Sequence, residues 1–209
     1  MAGPTVNVHV GIPWRAGDPW REQAFAYVQI HLRGAGFDPV PYDDGADVFS
    51  RAGSRNLAVR CADADVVILH DADMILPATA YIEAAEIARS SGRLVIGFSR
   101  YRPLSKARTV EAFGGADPFT LDPVDELVDF SVGGVVAITP DAWWKAGGMD
   151  ERYVDWGCED FAFANAAAGA LGPLIRLDGP GVHLWHPHAA DPDNHDQQRN
   201  SALLAGGDV

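Results

Sequence analysis

The sequence predicts an α/β protein built on a mostly parallel central sheet flanked by helices. Three observations carry that reading. Short apolar runs alternate with amphipathic stretches through the first half of the chain, the pattern of βα units. Residues 66–70, Val-Val-Ile-Leu-His, form an unbroken apolar run that ends in acidic residues, as a central parallel strand does. Asp18-Pro19 supplies an N-cap and a proline at the first helical position, so one helix start is written locally.

The elements then follow in order. Residues 6–12 read as a strand stopped by Pro13, and residues 18–32 as a helix closed near Gly34. Residues 38–42 read as a second strand and residues 51–61 as a second helix, with Ser50 as its cap. Beyond the strand at 66–70 come a helix over 77–89 and a strand over 94–98. Residues 100–130 are polar, broken by proline and poorly periodic; a long loop with short elements is expected there, and such loops are usually functional. Residues 132–138 resume as a strand carrying Gly133-Gly134, and Thr139-Pro140 caps a short helix ending at Gly147-Gly148. A helix over 159–168 and strand-like runs at 174–177 and 182–185 complete the pattern. With no repeat and no linker, residues 1–188 are expected to be one domain, and 189–209 a polar tail, helical or disordered.

At 209 residues, 47% apolar and 10% aromatic, the chain can bury a substantial core without disulfides. A net charge of −13 argues against a non-specific nucleic-acid or anionic-membrane binder, since both need a basic face. Cys61 and Cys158 lie far apart, each in a segment that reads as buried or close to the site, and a reducing compartment is the simpler reading. No stretch approaches ~18 consecutive apolar residues and no basic-then-apolar leader opens the chain. A cytoplasmic protein without a membrane span is therefore expected.

Three constellations could carry chemistry. His70-Asp71-Ala72-Asp73 follows the buried strand, where ligand sites of open α/β sheets lie. Two carboxylates two positions apart can share a face and suit a divalent cation beside a diphosphate; the same residues could equally form a solvated loop or a helix cap before Pro77. Gly147-Gly148-Met149-Asp150-Glu151 leads to Trp156-Gly157-Cys158-Glu159-Asp160. Glu159 and Asp160 can simply open a helix, stabilised by its dipole, or serve as a base facing a sugar hydroxyl beside an aromatic platform. His183-Leu184-Trp185-His186-Pro187-His188 concentrates imidazoles. In a regular strand His183 and His186 would point to opposite faces, so both reach one metal only if Pro187 ends the strand and re-aims the second. Imidazole ligands favour Mn²⁺ over Mg²⁺.

Taken in order these segments resemble the GT-A-fold glycosyltransferases, in particular the β-1,4-galactosyltransferase group and related chondroitin-type polymerases. Pro13-Trp14-Arg15 is similar to the family's Pro-aromatic-Arg turn, and Phe49-Ser50-Arg51-Ala52 followed by Asn56 to its Phe-Asn-Arg-Ala segment; both contact the nucleotide. Asp71-Ala72-Asp73 resembles the metal-binding Asp-x-Asp, Gly133-Gly134-Val135 the strand beside the donor sugar, and Trp156-Gly157-Cys158-Glu159-Asp160 the Trp-Gly-Gly-Glu-Asp motif. Cys158 stands where the family has glycine, and Phe161 where a further acid is usual, which leaves donor sugar and acceptor open.

The resemblance implies a metal-dependent, inverting transfer of a hexose or N-acetylhexosamine from a nucleotide-sugar, UDP-linked by preference, to an acceptor hydroxyl on a glycan or protein. It implies that Asp73 ligates the metal with His183 or His186, and that Asp71 holds the ribose or a metal-bound water. Arg15 and Arg51 would grip the nucleotide, Asp160 would act as base, and Glu159 would bond sugar hydroxyls. Trp156 would stack on a sugar, with Gly133 and Gly134 beside the donor. Arg55 could simply be exposed by the same helix as Arg51, and Trp143 and Trp144 read as packing residues. A nucleotidyltransferase of similar fold and a non-catalytic carbohydrate-binding protein are the alternatives.

Overall fold

The computed structural model describes residues 6–129, 131–153, 157–187 and 195–206. β1 (Val8–Pro13), α1 (Pro19–Gly34), β2 (Pro39–Tyr42), α2 (Arg51–Cys61) and β3 (Val66–His70) form a first α/β wing in which β1 pairs in parallel with β2 and β3. All five residues of β3 are buried, as its apolar sequence demands of a strand covered on both faces. The Asp18 side chain accepts from the Trp20 and Arg21 N–H groups, and Ser50 from that of Gly53, so both helices start at their sequence-encoded caps. Gly11 lets α2 lie directly on β1, because a Cβ there would collide with the Ala58 methyl.

β4 (Met74–Ile75), α3 (Ala78–Ser91), β5 (Val95–Ile96), β6 (Arg100–Pro103), α4 (Lys106–Phe113) and β7 (Leu127–Val128) follow. β8 (Val135–Ile138), α5 (Pro140–Lys145), α6 (Glu159–Leu171), β9 (Ile175–Arg176), β10 (Pro180–His183) and α7 (His195–Leu204) complete the order. The main sheet runs β2-β1-β3-β8-β5-β9, and only β8 opposes its neighbours, running antiparallel to β3 and β5. A second sheet, β4-β10-β6-β7, stands beside it. The fold is therefore α/β with a mixed sheet, five strands of the main sheet sharing one direction.

Several expectations are corrected. β1 continues through Pro13, whose ring is compatible with extended backbone, and the Trp14 N–H then bonds the Tyr42 carbonyl at 2.8 Å. The strand expected over 132–138 begins only at Val135, because Gly134 turns the chain at φ 85°. The last strand lies at Pro180–His183 rather than 182–185, and β4 was not foreseen. Residues 100–130 do hold the short elements expected there, β6, α4 and β7, with β6 and β7 built into the second sheet. Cys61 is exposed at the end of α2, not buried. Trp143 is fully buried while Trp144 is exposed. Among the described residues no helix is long and apolar enough to cross a membrane.

Candidate functional site

β3 ends at His70, and the chain turns through Asp71-Ala72-Asp73 into β4. His70 Nδ1 lies 2.7 Å from the Asp71 carbonyl, which can only accept, so this nitrogen carries the proton. The Tyr81 hydroxyl accepts from the Leu76 N–H at 3.0 Å and lies 3.0 Å from His70 Nε2, where it donates. Burial keeps the ring neutral, its pKa pushed down to about 4. This buried chain of bonds pins both ends of the acidic turn.

The second sheet brings the histidines to that turn. His183 is the last residue of β10, paired across from Met74, and the Leu184 N–H bonds the Asp73 carbonyl at 2.8 Å. The strand stops at His183 and not, as expected, at Pro187, and the irregular backbone that follows can swing His186 to the same side. His186 Nε2 lies 3.1 Å from Asp73 Oδ2, and His183 Nε2 3.7 Å from Asp73 Oδ1. One ligand atom from each of the three residues falls within 4.8 Å of the others. His186 Nδ1 donates to the Pro187 carbonyl at 2.9 Å, which orients Nε2 towards Asp73. Burial opposes ionisation of Asp73, yet His183, His186 and Arg21 overcome it and hold the carboxyl well below its usual range. His186 is conversely raised: burial works against its charge, and the contact with Asp73 prevails.

The opposite wall comes from α2 and the start of α6. Arg51 and Arg55 stand one turn apart on the same helix face. Arg55, for which exposure on the helix was the open alternative, is instead the most thoroughly buried cation of the site at 3%. Its Nη2 meets Asp71 Oδ1 and its Nη1 meets Asp160 Oδ1, both at 2.6 Å, with Glu159 Oε1 3.6 Å from Nη1. Arg51 Nε lies 3.4 Å from the same Glu159 oxygen. Cys158 opens α6 in the left-handed region at φ 68°, where the family's glycine would sit without strain. Burial raises the Asp160 carboxyl; Arg55 opposes this, Glu159 and Asp71 add to it, and the net effect is a rise to about 7.

The two glycines fasten these walls together. A Cβ at Gly133 would collide with the Asp160 carboxylate, and the Gly134 carbonyl accepts from the Asp71 N–H at 2.7 Å. Asn56 is wholly structural: its amide bonds the Met149 carbonyl and Glu151, and its oxygen accepts from Trp143 Nε1 and the Met149 N–H.

Between the walls lies a cavity of about 310 Å³. Pro13, Trp14, Arg15, Phe49 and Arg51 line one end; Asp71, Asp73, Gly134, Asp160, His183 and His186 line the rest. Arg15 sits 5.2 Å over the Phe49 ring and is tied edge-on to Asp43 at 2.5 and 2.8 Å, so its face rather than its fork is open to a ligand. Glu159 and Gly133 stand behind the lining, Glu159 against Arg51 and Arg55 and Gly133 against the Asp160 carboxylate. Trp156 lies outside the described residues. Arg21, Tyr101 and Ser131 also face the cavity, and the sequence reading missed them; Arg55 was named there only as a weaker nucleotide contact, and its bridge between Asp71 and Asp160 was not foreseen. None stands in a motif, and the only local hint is the i, i+4 spacing of Arg51 and Arg55.

Comparison with known proteins agrees with this architecture. Residues 128–180 match the family model described as the N-terminal domain of galactosyltransferase, a segment covering β7 to the start of β10. The Drosophila β-1,4-galactosyltransferase 7, solved with manganese, UDP-Gal and xylobiose, is 16% identical with a TM-score of 0.61, over 96% of this chain and 80% of that one. GalNAc-T7 with UDP, GalNAc and Mn²⁺ superposes with a TM-score of 0.61 at 12% identity, over 98% of this chain and 48% of that one. Glucosyl-3-phosphoglycerate synthase from Mycobacterium tuberculosis, with Mn²⁺, UDP-glucose and phosphoglyceric acid, gives 0.57 at 10% identity, over 98% and 81%. No curated protein matches by sequence. The chain thus has the GT-A fold, with a galactosyltransferase-type segment at 128–180.

Proposed function

We propose that this chain is a metal-dependent glycosyltransferase that moves a hexose or N-acetylhexosamine from a UDP-sugar to an acceptor hydroxyl, inverting the anomeric centre. One observation carries the reading: a cluster of one carboxylate and two imidazoles, Asp73, His183 and His186, shares a cavity with the raised carboxyl of Asp160. The manganese and UDP-sugars bound by the GT-A neighbours support it.

The donor set fits a borderline divalent ion, Mn²⁺ ahead of Mg²⁺, because two of its three ligands are imidazoles. Such an ion, when bound, supplies positive charge to the departing nucleoside diphosphate. Phe49 and Arg15, packed on each other, form one wall against which the base can lie, and Arg51 holds the nucleotide from α2. Asp71 gives one oxygen to Arg55 and keeps the other for the ribose. Asp160 likewise gives Oδ1 to Arg55, leaving Oδ2, beside Gly133, to take the acceptor proton during attack. Trp156 is assigned to sugar stacking on the family resemblance alone. Residues 1–188 would form the catalytic unit, and the two free cysteines suit a cytoplasmic protein.

The deciding experiment incubates the protein with Mn²⁺, a panel of UDP-sugars and a panel of glycans and glycosylated peptides, and follows UDP release and product by NMR. Sugar on an acceptor with the opposite anomeric configuration is expected. Product with the donor's configuration would remove the inverting mechanism, and failure of every UDP-sugar to bind with Mn²⁺ would remove the reading.

A further inference from the structure

The acidic turn after β3 and the start of α6 come from distant parts of the chain, yet a single side chain touches both. Arg55 reaches Asp71 with Nη2 and Asp160 with Nη1, each at 2.6 Å, while Nη1 also lies 3.8 Å from Met149 Sδ. The two nitrogens belong to one planar group, so neither carboxylate can move without turning the fork under the other. We infer that Arg55 is a positioning residue that sets the separation between the donor-side carboxylate Asp71 and the base Asp160. The inference rests on the reading of Asp160 as base.

Its second effect is electrostatic. Asp160 is faced by Arg55 and Arg51 from α2, by Asp71 from the turn, and by Glu159 on its own helix. Two cations stand against three carboxylates, counting Asp160, and Arg55 is the cation in direct contact. Without it the base would hold its proton to higher pH. A lysine would return the charge, but its single nitrogen cannot occupy the two positions that Nη1 and Nη2 hold, so it would not keep the two carboxylates at their present separation.

The test compares Arg55→Met and Arg55→Lys with the parent protein, reading turnover against pH, donor KM and binding of Mn²⁺ with UDP. Arg55→Met is expected to lower kcat on the order of 10²-fold, as a misplaced catalytic group does, with a smaller change in donor KM. The acidic limb of its pH profile should move upward, and Arg55→Lys should restore the limb but not kcat. Unchanged kcat and pH profile in Arg55→Met, or full recovery of kcat by lysine, would overturn the bridging role. An arm independent of turnover measures unfolding midpoints in two double-mutant cycles, pairing Arg55→Met with Asp71→Asn and with Asp160→Asn. Both cycles should be non-additive; additivity in either sinks the inference even if no transfer is ever seen. Arg55→Gln replaces the methionine variant should that one not fold. Absence of transfer by the parent protein, with both cycles non-additive, would instead count against the proposed function.

Discussion

Asp73 and Asp160 are carboxylates of one cavity, and the protein surrounds them differently. Both pay for burial, but Asp73 is met by His183, His186 and Arg21, whereas Asp160 shares its arginines with Glu159 and Asp71. The first is therefore held ionised well below its usual range and the second is lifted to about 7. A carboxylate that never protonates suits a permanent metal ligand; one that titrates near neutrality suits proton transfer. The difference shows that the neighbours, more than the depth of burial, decide which chemistry each acid can perform.

The contrast can be broken most severely at Asp160. Asp160→Asn should lower turnover by roughly 10²–10⁴-fold while Mn²⁺ and UDP still bind; turnover assays beside calorimetric titration separate the two, and unchanged turnover would end its assignment as base. Asp73→Ala should act at the binding step instead, weakening Mn²⁺-dependent UDP binding on the order of 10²-fold or more, with the fold intact by circular dichroism. Full UDP affinity in excess chelator would contradict that expectation.

Acidity sharpens the comparison. If Asp160 is the proposed base its active form is deprotonated, so kcat/KM should level off above pH 7 and fall about tenfold per unit below it, where the carboxyl takes up its proton. Asp73, already ionised, should add no limb in that window. A flat profile between pH 5 and about 7 would show that no such group governs the reaction. The smallest effect is expected at Arg51, which lines the cavity but also leans on Glu159. Arg51→Ala should raise the donor KM by roughly tenfold, the value of one charge-assisted bond, with acceptor KM unchanged; initial rates with each substrate varied in turn will tell.

Much of the fold was legible because its signals act over a few residues. Asp18-Pro19 and Ser50 fix helix starts through bonds to N–H groups two or three positions on, and α2 at Arg51–Cys61 and β3 at Val66–His70 fall where the sequence put them. The acidic turn, the paired glycines and the histidine run were likewise visible as local patterns. What they do together was not. His183 and His186 share a target only because β10 ends at His183 and pairs with β4, and no residue near them announces that partner. β8 runs against its neighbours because the connections on either side of it, not its own four apolar residues, set its direction. Arg55 looked like any helical arginine until Asp71 and Asp160, 16 and 105 residues away, closed on it. Caps and apolar runs are settled within one turn of chain and so can be read from sequence. The charge of a buried site depends on groups that only packing brings within a few ångströms, and there the tertiary structure alone decides.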